Sequence, residues 1–310
     1  TAIVQVMAGE YDQDETWAVG SGQSVTVYAY GAARWNGTVD IAVSLGVDTG
    51  RLEIADGTFD SNVFLSGAGS PLELTFRRCV VATDEEWNSD GQDVTIRFID
   101  CYFTECALSL VDDARVELWA CRGSIQYVTG DATYLSVSVI DCTFTVVGGA
   151  NSAAFSADTV SITGASIATG PLKEGVAANF VFDTPRTLAE GTSVTVRGIS
   201  VDVPQAIDDT PLIRIVSSSS PSVEPWAHVQ NCYFVYPRGR IVFLDSIAPV
   251  FVTAYLRLFS TFIDAGDNSR AVLAGGVDTS LELEYADVSG ELTYENMTTV
   301  VNIETTASEL

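Results

Sequence analysis

The sequence has almost no lysine and almost no histidine. Lys173 is the sole lysine and His228 the sole histidine among 310 residues. That leaves no second imidazole for a histidine-rich metal site, and no specific Ser–His–Asp constellation can be assembled. Chemistry that depends on reversible histidine protonation has one residue to draw on. Basic residues are scarce as a whole: 15 Lys and Arg stand against 41 Asp and Glu, a formal net charge of -26. A field of that sign repels phosphate backbones and anionic bilayers, which argues against nucleic acid and membrane surfaces as partners. No apolar run is long enough to span a bilayer. Residues 1–20 carry acids and lack the basic n-region and apolar core of a secretory signal. A chain that opens on Thr1-Ala2 reads either as a cytosolic product after removal of an initiator Met or equally as a mature fragment; if Thr1 is the true start, the expectation is a protein made inside a cell that stays there or leaves by lysis. Long amphipathic helical stretches are also missing; even Ala107–Leu118 alternates at period two.

What is abundant is strand chemistry. Hydrophobic residues make up 47% of the chain, and Val, Ile, Thr, Phe and Tyr are plentiful. One eight-residue template recurs: apolar, polar, apolar, any, any, small, any, apolar. Clear copies are Leu52–Phe59, Leu74–Val81, Ile96–Phe103, Val137–Phe144, Val160–Ile167, Val194–Val201, Ala227–Phe234, Leu256–Ile263 and Leu281–Val288, with a shorter one at Val116–Cys121 and earlier ones starting at Val4 and Val25. Alternation puts the first and third positions on one face of a strand and the second on the other. Stacked in parallel, equivalent strands bury the first face as a continuous interior, each coil covered by its neighbours. Crossover connections between parallel strands favour a right-handed wind. The expectation is an all-β fold, a single-stranded right-handed parallel β-helix of about twelve coils, forming one domain over residues 1–310. The sixth template position is expected to bend the chain into the next face, and Thr298–Leu310 to pair with another chain or fray.

Five of the six cysteines fall in that sixth column: Cys79, Cys101, Cys121, Cys142 and Cys232. Spacings near 21 are not those of zinc ligands, so the expectation is a ladder of buried free thiols acting as small hydrophobes. Around them the template resembles the DCxF and NCxF repeats of pectin-lyase-like β-helices: Asp100-Cys101-Tyr102-Phe103, Asp141-Cys142-Thr143-Phe144 and Asn231-Cys232-Tyr233-Phe234. The resemblance covers nearly the whole chain; it implies the fold and says little about activity. The acidic, nearly lysine-free composition resembles that of proteins from extreme halophiles, haloarchaea and their viruses.

Candidate sites are few. Glu86, Asn88 and Asp90, in an acidic stretch read as a loop between coils, loosely echo the oxygen-ligand spacing of a calcium loop. Glu replaces the usual first Asp and no bidentate Glu follows, so calcium is weighed there against a plain solvated loop; no other cofactor is expected. The acid pairs Asp112-Asp113 and Asp208-Asp209 lie in loops, and Arg97, Arg115, Arg122 and Arg257 read as scattered. His228, in the outward polar column, reads as a solvated surface residue. Coils are enlarged over about 160–255. The 202–228 excursion, with Asp208, Asp209 and Trp226, reads either as a contact surface for a glycan or partner subunit, or as an inert loop with a packed strand at Leu212–Val216. No catalytic residue is assigned.

Three functions follow as expectations. The first is a non-enzymatic structural or host-contacting virion protein, a spike, turret or capsid-decorating component. It would be made in the host cytoplasm and assembled with other virion proteins or with itself, as a homo-oligomer such as a trimer. The second is a polysaccharide-binding or polysaccharide-degrading β-helix enzyme of tailspike or lyase type. The third is a cell-surface adhesion protein with an extracellular location.

Overall fold

The chain folds as a parallel β-solenoid with no helix among the described residues, as a computed structural model shows. The structure describes residues 1–29, 33–43, 46–61, 63–66, 71–82, 86–89, 93–110, 113–130, 134–146, 153–168, 188–202, 211–216, 225–235, 240–245, 252–259, 261–264, 273–275, 279–286, 289–290, 294–295 and 299–304. It divides into two compact units, Thr1–Phe144 and Thr145–Leu310.

In the first unit, seven strands stack in parallel as one sheet: Ala2–Val6, Ser24–Ala29, Gly50–Ala55, Leu72–Arg77, Val94–Ile99, Ala114–Trp119 and Leu135–Ile140. Leu52, Leu74, Ile96, Val116 and Val137 are register partners from rung to rung, as the template requires. The first and third template positions are buried in each of these rungs, from Leu52 and Ile54 to Val137 and Val139. Short strands such as Val80–Ala82 and Val63–Ser66 form the other sides of the coils. Aromatic rings fill the interior end to end. Trp35 stacks on Phe59 at 4.9 Å, Phe59 meets Phe76 edge-on at 5.4 Å, and Phe76 stacks on Phe98 at 5.1 Å.

The bend after each rung lies one residue earlier than expected. Asp56, Arg78, Asp100, Ala120 and Asp141, at the fifth template position, have φ between 51° and 67°. The sixth position instead points inward: Cys79, Cys101, Cys121 and Cys142 are all buried. A left-handed residue reverses the side-chain alternation, so one turn residue suffices to aim the next side chain at the core. Asp and Asn tolerate this conformation better than most residues, which is why they recur before the cysteine. The hydrogen-bond ladder continues through the bend, with Asp56 N–H donating to Arg77 O and Asp100 N–H to Trp119 O.

In the second unit six parallel strands form the corresponding sheet: Thr159–Thr163, Ser193–Arg197, Trp226–Gln230, Val252–Phe259, Thr279–Ala286 and Thr299–Glu304. Val160, Val194, Ala227 and Leu256 are register partners. Gly164, Gly198 and Asn231 occupy the left-handed corner.

Two details correct the sequence reading. Ala2, not Val4, pairs with Val25, and Leu283, not Leu281, pairs with Leu256. A two-residue shift keeps the same face inward and leaves the first and third positions apolar, so those positions alone could not detect it. The coil count also differs from twelve. Seven and six rungs are present among the described residues, and the additional one is Thr299–Glu304, which pairs with Thr279–Ala286. That part of the expected frayed tail is an integral strand.

Candidate functional site

The outer surface of the first unit carries two organised features, a charge ladder and a groove. Both arise from columns that the solenoid aligns at about 4.8 Å per rung.

Of the arginines that read as scattered, Arg97 and Arg115 belong to one charge network across the rungs and Arg122 to a second. Arg51 Nε donates to Glu73 Oε2 at 3.2 Å, and Arg97 Nη1 lies 3.5 Å from the same oxygen. Arg97 Nε then donates to Glu117 Oε2 at 3.0 Å, and Arg115 Nε reaches Glu117 Oε1 at 2.7 Å. Glu117, predicted to be an outward polar residue, is buried at 7% exposure beneath the two guanidinium groups. A second ladder follows the corner. Arg78 grips Asp56 through Nε at 2.7 Å and Nη2 at 2.9 Å, and Arg122 Nη2 donates to Asp100 at 3.2 Å. The Arg78 hydrogen bonds hold the Asp56 carboxyl below the usual carboxylate range, partly opposed by desolvation, and Asp56 in turn raises Arg78. Arg77 pairs with Glu53, and Arg34 with Asp60.

The groove lies beside the first network, where the chain enters successive rungs. It encloses about 330 Å³. Its floor is Leu72, Val94 and Ala114, whose side chains turn inward. One wall is the column immediately before the strands, Pro71, Asp93, Asp113 and Tyr134; the other is the column two residues on, Glu73, Thr95, Arg115 and Ser136. Backbone bonds from Leu72 N–H to Asp93 O, Val94 N–H to Asp113 O and Ala114 N–H to Tyr134 O fix the first wall one rung apart. Asp93 and Asp113 are exposed, and Tyr134 is half-exposed. The arrangement offers carboxylate acceptors, hydroxyls, a guanidinium and an aromatic ring along one line. Extending the template three residues upstream would have aligned these columns; the loop assignment of Asp112-Asp113 stopped short of it.

The other predicted residues are placed as follows. Glu86 and Asn88 belong to the strand Glu86–Ser89, which pairs with Tyr102–Leu110 and Val63–Ser66, so this part of the acidic segment is extended ladder and not loop. Asp90 lies outside the described residues, as do Asp208, Asp209 and Asp112. Among the described residues no group of three or more His, Cys, Asp or Glu is placed to hold a metal ion. Trp226 is 40% exposed at the start of Trp226–Gln230. His228 is half-buried rather than fully solvated. In the second unit Leu212, Ile213 and Ile215 are buried in the strand Pro211–Val216, so that part of the enlarged region is core. There Glu190 accepts from Ser156 Oγ at 2.7 Å and from Arg214 Nη1 at 3.3 Å.

All six cysteines are free and buried. Each corner thiol of the first unit donates to a carbonyl of the preceding rung: Cys79 to Ile54 O at 3.5 Å, Cys101 to Phe76 O at 3.4 Å, Cys121 to Phe98 O at 3.3 Å and Cys142 to Leu118 O at 3.4 Å. Burial pushes Cys106 and Cys232 above the ordinary thiol range. Contact with the Cys121 thiol, together with burial, raises Cys101 and Cys142. Thiols held protonated in this way are poor nucleophiles and poor metal ligands.

No protein-family model matches the sequence, and no curated protein matches it. Among solved structures, the catalytic domain of a GH87 alpha-1,3-glucanase in complex with tetrasaccharides is similar at 12% identity and a TM-score of 0.26. That similarity covers 97% of this chain, which spans 64% of the length of the glucanase chain. No helix among the described residues is long and apolar enough to cross a membrane.

Proposed function

We propose that the protein is a non-enzymatic structural or host-contacting solenoid, a spike, turret or capsid-decorating component of a virion, and that its acidic composition reflects a haloarchaeal virus. The observation that carries the structural role is the stitching of the first unit's outer face. Successive rungs from Gly50–Ala55 to Ala114–Trp119 are joined by arginine–carboxylate pairs, so charge is spent on holding coils together. A net charge of -26 supplies the solvation that a displayed protein needs in concentrated salt. The partners in this reading are other virion proteins or further copies of the chain, as a homotrimer. The 202–228 excursion with Asp208, Asp209 and Trp226 supplies the contact to a host surface glycan.

The test is to purify the particle or cell fraction that contains the native protein and to identify its neighbours by mass spectrometry. Capsid or tail proteins are expected; a location confined to the cell envelope would replace this reading with cell-surface adhesion. The halophilic element has its own check. Dialysis into low salt, followed by circular dichroism, is expected to loosen the fold, because unscreened carboxylates repel one another. A spectrum unchanged without molar salt removes that element.

A further inference from the structure

We propose that the corner of the first unit around Trp119 and Ala120 is the surface through which a second copy of this chain packs side by side with the first. It rests on the self-association read above and not on membership of a virion.

One column on the outer face breaks the polar pattern. In the sheet that carries the charge ladder, Glu53, Thr75, Arg97, Glu117 and Ser138 form a register column, and all five are polar. Two residues on, the column nearest the corner turns apolar over three successive rungs, at Ile99, Trp119 and Ile140. Trp119 is 46% exposed, and the isoleucines on either side of it are half-buried. Beyond the corner lies a second flank, where Tyr102 is 49% exposed and Thr104 and Thr143 are exposed. Single exposed apolar residues are ordinary. A column of them held about 4.8 Å apart is a continuous surface, and covering it with another protein removes that surface from water.

Between the flanks lies a notch. The corner column reads Asp56, Arg78, Asp100, Ala120 and Asp141. Ala120 holds φ at 52°, although alanine has no polar side chain to hydrogen-bond locally in that conformation as Asp or Asn can. The backbone therefore does not explain alanine here. What alanine provides is space, an exposed position filled only by a methyl group, next in sequence to the exposed Trp119. A tryptophan seated in a pocket is the commonest kind of anchor in a protein–protein contact.

Charge selects the occupant. Copies that each carry a net charge of -26 repel one another over most of their surface. Around this corner Arg77 pairs with Glu53, Arg78 with Asp56 and Arg122 with Asp100, so neutralised pairs frame the apolar column. A basic partner is drawn to acidic surface; a second copy approaches most easily where its own charges already cancel. Knob and notch share one rung. A rotation axis parallel to the stacking direction of the coils brings Trp119 of one copy over Ala120 of the next with their rungs level. Such an axis, two-fold or three-fold, gives a closed assembly.

The experiment uses the full chain in molar potassium chloride, where repulsion between copies is screened. Sedimentation equilibrium across the micromolar range gives the mass, and a dimer or trimer is expected. Trp119→Ala is expected to weaken association by about thirtyfold or more. Ala120→Arg introduces the residue that the same corner carries at Arg78, so the urea midpoint should stay at the wild-type value while the chain becomes monomeric. Tyr233→Ala, which removes an exposed tyrosine of the second unit, should leave the mass unchanged. Circular dichroism and urea melts check each fold; should Trp119→Ala fail that check, Ala120→Arg decides. A monomer at every concentration, or an oligomer that survives the corner substitutions, overturns the proposal. A monomeric chain that co-purifies with capsid proteins leaves the virion reading standing without this interface, and a corner-dependent oligomer confined to the cell envelope does the reverse.

Discussion

Replacing Glu117 with glutamine tests whether the cross-rung charge network stabilises the first unit or merely decorates it. The Glu117 side chain is 9% exposed, against 34% for Arg97 and 62% for Arg115. A well-formed hydrogen bond to a charged group contributes about 1.5–3 kcal/mol when shielded, and an exposed ion pair about 0–1 kcal/mol. The Arg97 contact, two-thirds shielded, falls at the lower edge of the first range, about 1.5 kcal/mol. The Arg115 contact belongs to the second, about 0.5 kcal/mol. Glutamine keeps the shape but loses the charge, so Glu117→Gln is expected to cost about 2 kcal/mol. Double-mutant cycles with Arg97→Ala and Arg115→Ala should return couplings in that same order. Urea denaturation followed by tryptophan fluorescence measures each term, provided the m-value is unchanged. In about 1 M salt the Debye length falls to about 3 Å, so the Arg115 coupling should vanish while most of the Arg97 coupling survives. Equal couplings, or a Glu117→Gln cost within about 0.5 kcal/mol of zero, would refute the idea that burial of Glu117 makes the network cohesive.

Asp56→Asn keeps a residue that tolerates the left-handed corner but removes the charge gripped by Arg78. Because Asp56 is held below the usual carboxylate range, its stabilisation is complete above that range and is lost as pH falls through the lowered value. The pair is well exposed, so the difference between wild type and Asp56→Asn should be small at neutral pH and disappear in acid melts. Gly123→Ala should cost at least about 3 kcal/mol in a urea melt, since its φ is 114° and an added Cβ would lie 2.0 Å from the Phe103 carbonyl oxygen. Gly9→Ala, whose nearest neighbour would be Tyr11 at 3.9 Å, should stay within about 0.5 kcal/mol of wild type. The six thiols should resist a thiol-exchange reagent in the folded protein and react at the rate of unfolding; fast labelling of any corner cysteine would show that the coils open locally.

The repeat was legible because a solenoid imposes the same local demands on every coil. Leu52 and Ile54 read as inward, and Thr75 as outward, from alternation alone, and the cysteine column stood out at its spacing. Register was legible only where the copies were typical. At Val4 and Leu281 a shift of two residues left the first and third positions apolar, so those two columns did not distinguish the true pairing. The corner was misplaced by one residue because a left-handed backbone breaks the alternation that the template assumed; the recurring Asp or Asn before cysteine was the available signal.

The groove and the ladder were hidden for a different reason. Asp93, Asp113 and Tyr134 are about twenty residues apart in sequence, and so are Glu73, Arg97 and Glu117. Among 41 acidic residues no pair is informative until a third dimension selects it. By itself the sequence determined the class of fold, the inward faces and the thiol ladder, because those follow from periodicity in a single strand. Only the tertiary structure decided which charges face one another, that Glu117 is buried under two arginines, and that two aspartates and a tyrosine share a wall, because these depend on the register between rungs, to which a pattern of period two is blind.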